Sequence, residues 1–270
     1  MNQMNSDKHK RRGGFLIWLA VLLVLTVAVL ALPSFHLGSF EVAPADVLTE
    51  EEIIAASGLS VGQHLARGLG GSLQHIFQLR YKNAEDTIAA YSPFVKAADV
   101  RMKFPGTVAI SIEERIEVAY VNIPDGCVLI DKEGYALSIH PKIPDDIPVI
   151  EGIRAVSLSL GQPLTVDVAS SMQLAVTIMG AIIDADRDER TSVSLMSHVR
   201  KIRPAGGSLV YLTVVLPDTG EELIILAERG GDLSEDVLWL RFALEQGVLS
   251  GHGKGILDLT GTKKIFRPDS

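Results

Sequence analysis

Eighteen consecutive residues, Phe15 to Leu32 (FLIWLAVLLVLTVAVLAL), carry no charge and a single hydroxyl, that of Thr26. As a helix rising about 1.5 Å per residue, such a run covers nearly the ~30 Å hydrocarbon core of a bilayer. One transmembrane helix over residues 15–32 is therefore the expectation, and every other segment is constrained by the side of the membrane it occupies. Before the run stand Lys8, Lys10, Arg11 and Arg12 against Asp7 alone, and positive charge of this kind stays on the cytoplasmic side. Residues 1–14 are then a cytoplasmic basic tail, and the chain after Leu32, which has no second comparable run, lies outside. A cleaved signal peptide is the competing reading, but its apolar region normally spans about 7–15 residues and ends in an A-x-A-like site. Here the run is longer, and Val29-Leu30-Ala31-Leu32-Pro33 is a weak match to such a site.

The formal charge of the chain is −8. Setting aside the tail, which carries +3, leaves −11 on the remainder. An acidic outer part argues against nucleic acid as a partner and against general adhesion to an anionic membrane surface. Cys127 is the only cysteine, so no intramolecular disulfide can form and stability must come from core packing. Beside Val128 and Leu129, Cys127 reads as a small apolar strand residue.

Beyond the apolar run, Phe40-Glu-Val42 reads as a short strand. A helix follows from the N-cap Thr49, closed into a capping box by Glu52, stopped by Gly58, with Ile53, Ile54 and Leu59 on its buried side. Residues 66–82, with Gly68, Gly70 and Gly71, read as a glycine-rich insertion carrying a short apolar helix, Leu73 to Leu79. A second helix spans about Ala84 to Tyr91. Period-two alternation of Val100, Met102 and Phe104, then of Val108, Ile110 and Ile112, marks two half-buried strands joined by Pro105-Gly106. Arg101 and Lys103 are expected to face Glu113 across that hairpin.

Residues 127–139 form a second hairpin around Asp131 to Gly134. The run HPKIPDDIPVIEG holds three of the twelve prolines and is not expected to be regular structure. Asp167 is expected to cap a helix reaching about Asp184, striped by Leu174, Ile178 and Ile182. Strands are expected at Ser192 to Ile202, Leu209 to Leu216 and Glu222 to Ala227. A helix from Ser234 to Gln246 buries Val237, Leu240 and Leu244, and GKGILDLTGTKKIFRPDS closes the chain as a strand or strand pair. Antiparallel strands interleaved with helices give an α+β class.

Signals of chemistry fail on spacing. The seven histidines include no i, i+4 pair. Asp184-Ala-Asp186-Arg-Asp188 begins like a calcium loop, but Glu189 stands where glycine is required and Leu195 where the bidentate glutamate belongs. In Gly251-His-Gly-Lys-Gly255 the first glycine and the Ser/Thr of a phosphate loop are missing. No G-x-S-x-G elbow occurs, and Glu113 and Glu114, adjacent on a strand, point to opposite faces. The pattern favours binding or scaffolding over catalysis, with no metal site.

The ordered set of features resembles the FtsQ/DivIB family of bacterial cell-division proteins. It comprises Phe40-Glu-Val42, Glu51-Glu-Ile53 with Gly58-Leu59 and Gly62, Pro93-Phe-Val95, Val100-Arg101, Phe104-Pro105-Gly106-Thr107 and Glu114-Arg115. Beyond these come Ile130-Asp131 with Gly134, Ile143-Pro144, Ile147-Pro-Val-Ile-Glu-Gly152, Ile256-Leu-Asp-Leu259 and Phe266-Arg-Pro268. The chain departs from the family pattern in the length of the 66–82 insertion and at Glu117, where proline commonly stands.

The resemblance implies a POTRA domain of β-α-α-β-β order over residues 35–119 and a larger, mainly antiparallel α+β domain, the β-domain, over 120–270. It further implies a single-pass, non-enzymatic scaffold without cofactor at the division septum. Its partners would be FtsL-like and DivIC/FtsB-like membrane proteins and other divisome components, and it would help control septal peptidoglycan synthesis. In the family the last strand of the β-domain accepts a partner strand at its edge. The matching residues here are Leu259, Thr260, Gly261, Thr262, Lys264, Ile265 and Phe266, with Phe266 as an apolar anchor; Lys263 and Lys264 are open to two readings, partner contacts or edge protection. A membrane-tethered POTRA chaperone or transport accessory binding extended polypeptides is the alternative function.

Overall fold

The computed structural model describes residues 18–24, 35–144, 147–230 and 232–268. Of the expected membrane helix, residues 18–24 are described; they are helical, with Trp18, Leu22 and Leu23 exposed. The rest of residues 15–32 and the basic tail lie outside the described residues. No helix among the described residues is long and apolar enough to cross a membrane. From residue 35 on, the chain is mixed α+β and falls into two compact units, the first running to Tyr91 and resuming at Val95–Glu114, the second formed by Ser92–Phe94 and the chain from Arg115.

In the first unit the order is β1 (Ser39–Val42), α1 (Glu50–Ser57), α2 (Leu73–Phe77), α3 (Lys82–Tyr91), β2 (Val95–Lys103) and β3 (Thr107–Glu114). The strands stand in the order β1-β3-β2, with β1 parallel to β3 and β2 antiparallel to it. The capping box forms as expected: Glu52 N–H donates to Thr49 Oγ1 at 3.3 Å, and Thr49 N–H donates to Glu52 Oε2 at 2.9 Å. Gly58, at φ 66°, ends α1 in the left-handed conformation that glycine adopts without steric cost. Ile53 of α1 and Ile88 of α3 meet Val100, Val108 and Ile110 of the hairpin in one core.

Three expectations for the hairpin change once register is known. Glu113 stands opposite Ala97 and pairs with Lys96 at 2.9 Å, so it is out of reach as partner of Arg101 and Lys103. Arg101 instead binds Asp99 on its own strand at 2.6 Å, and Lys103 reaches Glu41 of β1 at 2.5 Å. Phe104, at 55% exposure, lies outside the core and packs edge-to-face on Phe35 with centroids 5.6 Å apart.

The 66–82 insertion runs along the outer edge of β2: Tyr81 N–H donates to Val100 O and Met102 N–H to Leu79 O, both at 2.9 Å. Its helix, α2, ends two residues earlier than the sequence suggests, and Leu79 turns into the left-handed region at φ 57° while its side chain stays packed on the core. A non-glycine residue held there stores on the order of 1–3 kcal/mol of strain. Tyr81 is fully buried with its hydroxyl donating to Leu65 O, and burial pushes its pKa up to about 12.

The second unit is built on a nine-stranded sheet. Its strands are β4 (Glu117–Ile123), β5 (Gly126–Asp131), β6 (Ala136–His140), β7 (Val149–Ile150), β10 (Val199–Gly206), β11 (Leu209–Val215), β12 (Glu222–Glu228), β13 (Gly255–Asp258) and β14 (Ile265–Pro268). A small ladder of β8 (Ala155–Ser157) and β9 (Thr165–Val166) stands apart from it. The sheet order is β14-β13-β12-β11-β10-β7-β4-β5-β6. Neighbours are mostly antiparallel; β7 is parallel to both β4 and β10, and β12 is parallel to β13. Helices α4 (Ala169–Asp186) and α5 (Leu233–Glu245) bury Leu174, Ile178, Ile182, Val237, Leu240 and Leu244 in the main core. On the other face, Tyr120, Cys127, Leu129 and Leu137 form a second apolar cluster. β5 is thus buried on both faces, which is why its sequence is continuously apolar.

Three boundaries differ from the sequence-based expectation. The proline-rich run contains β7, which is short enough for its prolines to fall outside the ladder; Pro148 O accepts from Tyr120 N–H and Glu151 N–H donates to Ile202 O. Asp167 does not cap α4; its carboxylate accepts the Arg154 N–H at 2.9 Å, and the N-cap Val168 makes no side-chain bond. Residues 192–198 are turn rather than strand, organised by Asp186, which accepts from Ser194 Oγ and the N–H groups of Leu195 and Met196. This is the structural use of the acidic cluster, together with the Asp188–Arg190 pair that holds Asp188 down to about 2.

Candidate partner-binding edge

Nothing in the described residues assembles the chemistry of an enzyme site. No group of three or more His, Cys, Asp or Glu among them could hold a metal ion. Glu114 is engaged by the N–H groups of Asp46 and Val47 at 3.1 and 2.8 Å, and Glu113 by Lys96, so the adjacent carboxylates do separate to two faces. The feature that offers chemistry is backbone: β14 ends the large sheet, and among the described residues no strand pairs with its outer side.

Several side chains hold β14 in place. It pairs antiparallel with β13 in the register Asp258↔Ile265, Leu257↔Phe266, Ile256↔Arg267 and Gly255↔Pro268. Gly255 permits this approach, since a Cβ there would lie 2.4 Å from Arg267 O and 2.6 Å from Phe266 Cζ. Arg267 Nη2 donates to Asp258 Oδ2 at 2.7 Å, and Thr260 gives Asp258 Oδ1 both its N–H at 3.0 Å and its hydroxyl at 2.7 Å. Burial alone would raise the Asp258 pKa; the Thr260 bonds and the cations Arg267 and Lys264 outweigh it and hold the carboxyl below the usual range.

The seven residues singled out in sequence occupy four environments. Leu259 is in the main core, with its N–H donating to Leu226 O at 2.9 Å. Thr260, Gly261 and Thr262 form an exposed bend. Lys264 is turned inward, bonded to Asp236 of α5 and at 3.0 Å to Leu259 O, so it clamps the bend onto the helix. Only Ile265 and Phe266 lie in the edge strand itself. Phe266 packs on the core beside His252, with ring centroids 5.3 Å apart, whereas Ile265 is half exposed. The apolar side chain available at the edge is therefore Ile265, and the exposed cation beside it is Lys263. Gly255, Asp236 and the Asp258–Arg267 pair were not legible as site residues; an aspartate between Leu257 and Leu259 in an apolar strand was the available signal.

Residues 35–115 match the family model described as POTRA domain, FtsQ-type. The cell division protein DivIB of Clostridium acetobutylicum is 26% identical over 181 residues, 67% of this chain and 67% of that protein. Residues 35–115 are thus similar to an FtsQ-type POTRA domain, and the wider match is to DivIB and FtsQ proteins. DivIB of Clostridium tetani is 25% identical over 133 residues, covering 49% of this chain and 46% of that protein. Cell division protein FtsQ of Mycobacterium leprae is 26% identical over 194 residues, 72% of this chain and 47% of that protein. The matches thus span two thirds of the first relative and about half of the other two. The match to the POTRA model falls in the first unit, with its parallel β1–β3 pair, and the second unit holds β14, whose outer side no described strand pairs.

Proposed function

We propose that this chain is a non-enzymatic cell-division scaffold of the FtsQ/DivIB family. In this reading residues 15–32 anchor it in the membrane with residues 1–14 in the cytoplasm, and both units face outward at the septum. It joins FtsL-like and DivIC/FtsB-like membrane partners and other divisome components, and through them helps control septal peptidoglycan synthesis. The observation that carries the reading is the terminal strand β14, a short edge held firmly on its inner side and unpaired on its outer side among the described residues. Unpaired N–H and C=O groups along such an edge are a template for an extended segment of another chain. The names of the relatives, all cell division proteins, support the cellular context.

The test pairs localisation with co-purification. A fluorescent fusion is expected at mid-cell, and Ile265→Asp is expected to lose the co-purifying division partners while keeping its circular dichroism and melting temperature. A uniform cell outline, with partner recovery unchanged in the variant, would count against the scaffold and favour the POTRA chaperone.

A further inference from the structure

We propose that the 66–82 insertion and the turn at Phe104 form an apolar face that seats the first unit on the phospholipid surface, beside the end of the membrane anchor. The proposal rests on the reading of residues 15–32 as that anchor. From residue 35 to Glu114 the exposed large apolar residues are Val47, Val61, Leu73, Ile76, Phe77, Tyr91 and Phe104. Helix α2 buries none of its residues: Leu73 is 74%, Ile76 46% and Phe77 84% exposed. A short helix showing three apolar side chains to water is ordinarily a marker of an interaction site.

Five of those seven residues are connected to one end of the unit. Leu79, which ends the segment carrying α2, accepts from Met102 N–H two residues before Phe104. Phe104 packs on Phe35, and Phe35 O accepts from Leu65 N–H just ahead of the insertion. Gly62 N–H donates to Leu37 O, which brings Val61 to the same end. Phe35 is three residues past Leu32, and three extended residues reach at most about 11 Å. An anchor ending at Leu32 therefore delivers this end of the unit, and no other, to the bilayer interface.

Charge agrees with a lipid occupant. The outer part of the chain carries −11, yet no Asp or Glu occurs between Glu52 and Glu85. Arg80 and Lys82 of this stretch are paired with Glu85 and Asp86, and Arg67 is exposed. The stretch is thus exempt from the repulsion that an acidic surface meets at anionic headgroups, and its aromatic and aliphatic side chains suit the headgroup boundary. The left-handed Leu79 and the pairing of Leu79–Tyr81 with β2 hold α2 outward, so the face is braced by the fold.

The full chain, reconstituted in phosphatidylglycerol-containing vesicles with or without brominated acyl chains, separates the two layers of the reading. One variant keeps only the native Trp18 (Trp239→Phe); another carries W18F, W239F and F77W. The F77W indole is expected to lose more than half its emission to the brominated chains, and adding Leu73→Asp and Ile76→Asp should restore most of it. An F77W indole that is unquenched while Trp18 is quenched overturns the proposal and leaves the anchor standing. Trp18 unquenched as well overturns the anchor reading and the proposal with it. An F77W indole shielded from aqueous quencher but untouched by brominated lipid assigns the face to a protein and equally overturns the lipid assignment.

Discussion

Gly255 is glycine because β14 leaves no room above it. With Arg267 O and Phe266 Cζ within 2.6 Å of where its Cβ would be, Gly255→Ala forces the edge strand to lift or the ring to leave the core. Overpacking of this kind costs about 1–3 kcal/mol, so the variant is expected to melt earlier and to lose amide-exchange protection at 256–258 selectively. Asp258, one strand position from the edge, titrates below the usual carboxylate range because Thr260, Arg267 and Lys264 favour its charged form over the opposing effect of burial. A depressed folded pKa contributes stability that is present above the unfolded value of about 4 and is lost as pH falls through the depressed value. Asp258→Asn is therefore expected to flatten the acid limb of the stability-pH curve, as followed by denaturant titration between neutral and strongly acidic pH. Arg115 belongs to the same class of buried fixings. Its Nη1 donates to the fully buried Asp131 at 2.6 Å, and its guanidinium lies 3.7 Å from the Tyr135 ring centroid. Arg115→Ala leaves Asp131 buried without its countercharge, with only the N–H groups of Glu133 and Tyr135 on its other oxygen, a change expected to cost about 3–5 kcal/mol by chemical denaturation.

Among the elements, β7 has the greatest leverage for its size. Two residues, Val149 and Ile150, pair with β4 on one side and β10 on the other, so they join the two halves of the nine-stranded sheet. Ile150 is fully buried in the main core. Ile150→Ala is expected to destabilise by about 2–5 kcal/mol and to lower exchange protection in both β4 and β10, whereas a substitution at the exposed Val156 should do neither. The far end of α4 is secured by Arg241 of α5, whose guanidinium donates to the carbonyls of Val193, Ala185, Asp188 and Thr191 at 2.6–2.9 Å. These contacts join positions about 50 residues apart, and nothing in the local sequence of α5 distinguishes Arg241 from a solvated helix residue. By contrast, the capping box at Thr49 and the alternation of β2 and β3 are nearest-neighbour patterns, and both were readable directly.

For the molecule as a whole, the two proposals divide the labour between the units: apolar contacts at the start of the first, strand pairing at the end of the second. Replacing residues 15–32 with an unrelated single span is accordingly expected to leave partner co-purification through β14 intact, checked by affinity recovery from detergent extracts. Loss of recovery would mean that the anchor itself makes partner contacts. The apolar run, the acidic balance, the α+β class and the ordered family residues are all properties of composition and local spacing, and the sequence by itself determined them. Which side chains stand at the edge was decided only in three dimensions. Leu259 went into the core, Lys264 turned toward an aspartate 28 residues away, and Ile265 was left outside. The physical reason is that burial and pairing at an edge depend on register across β12, β13 and β14, and register is set by non-local packing rather than by the neighbours of any one residue.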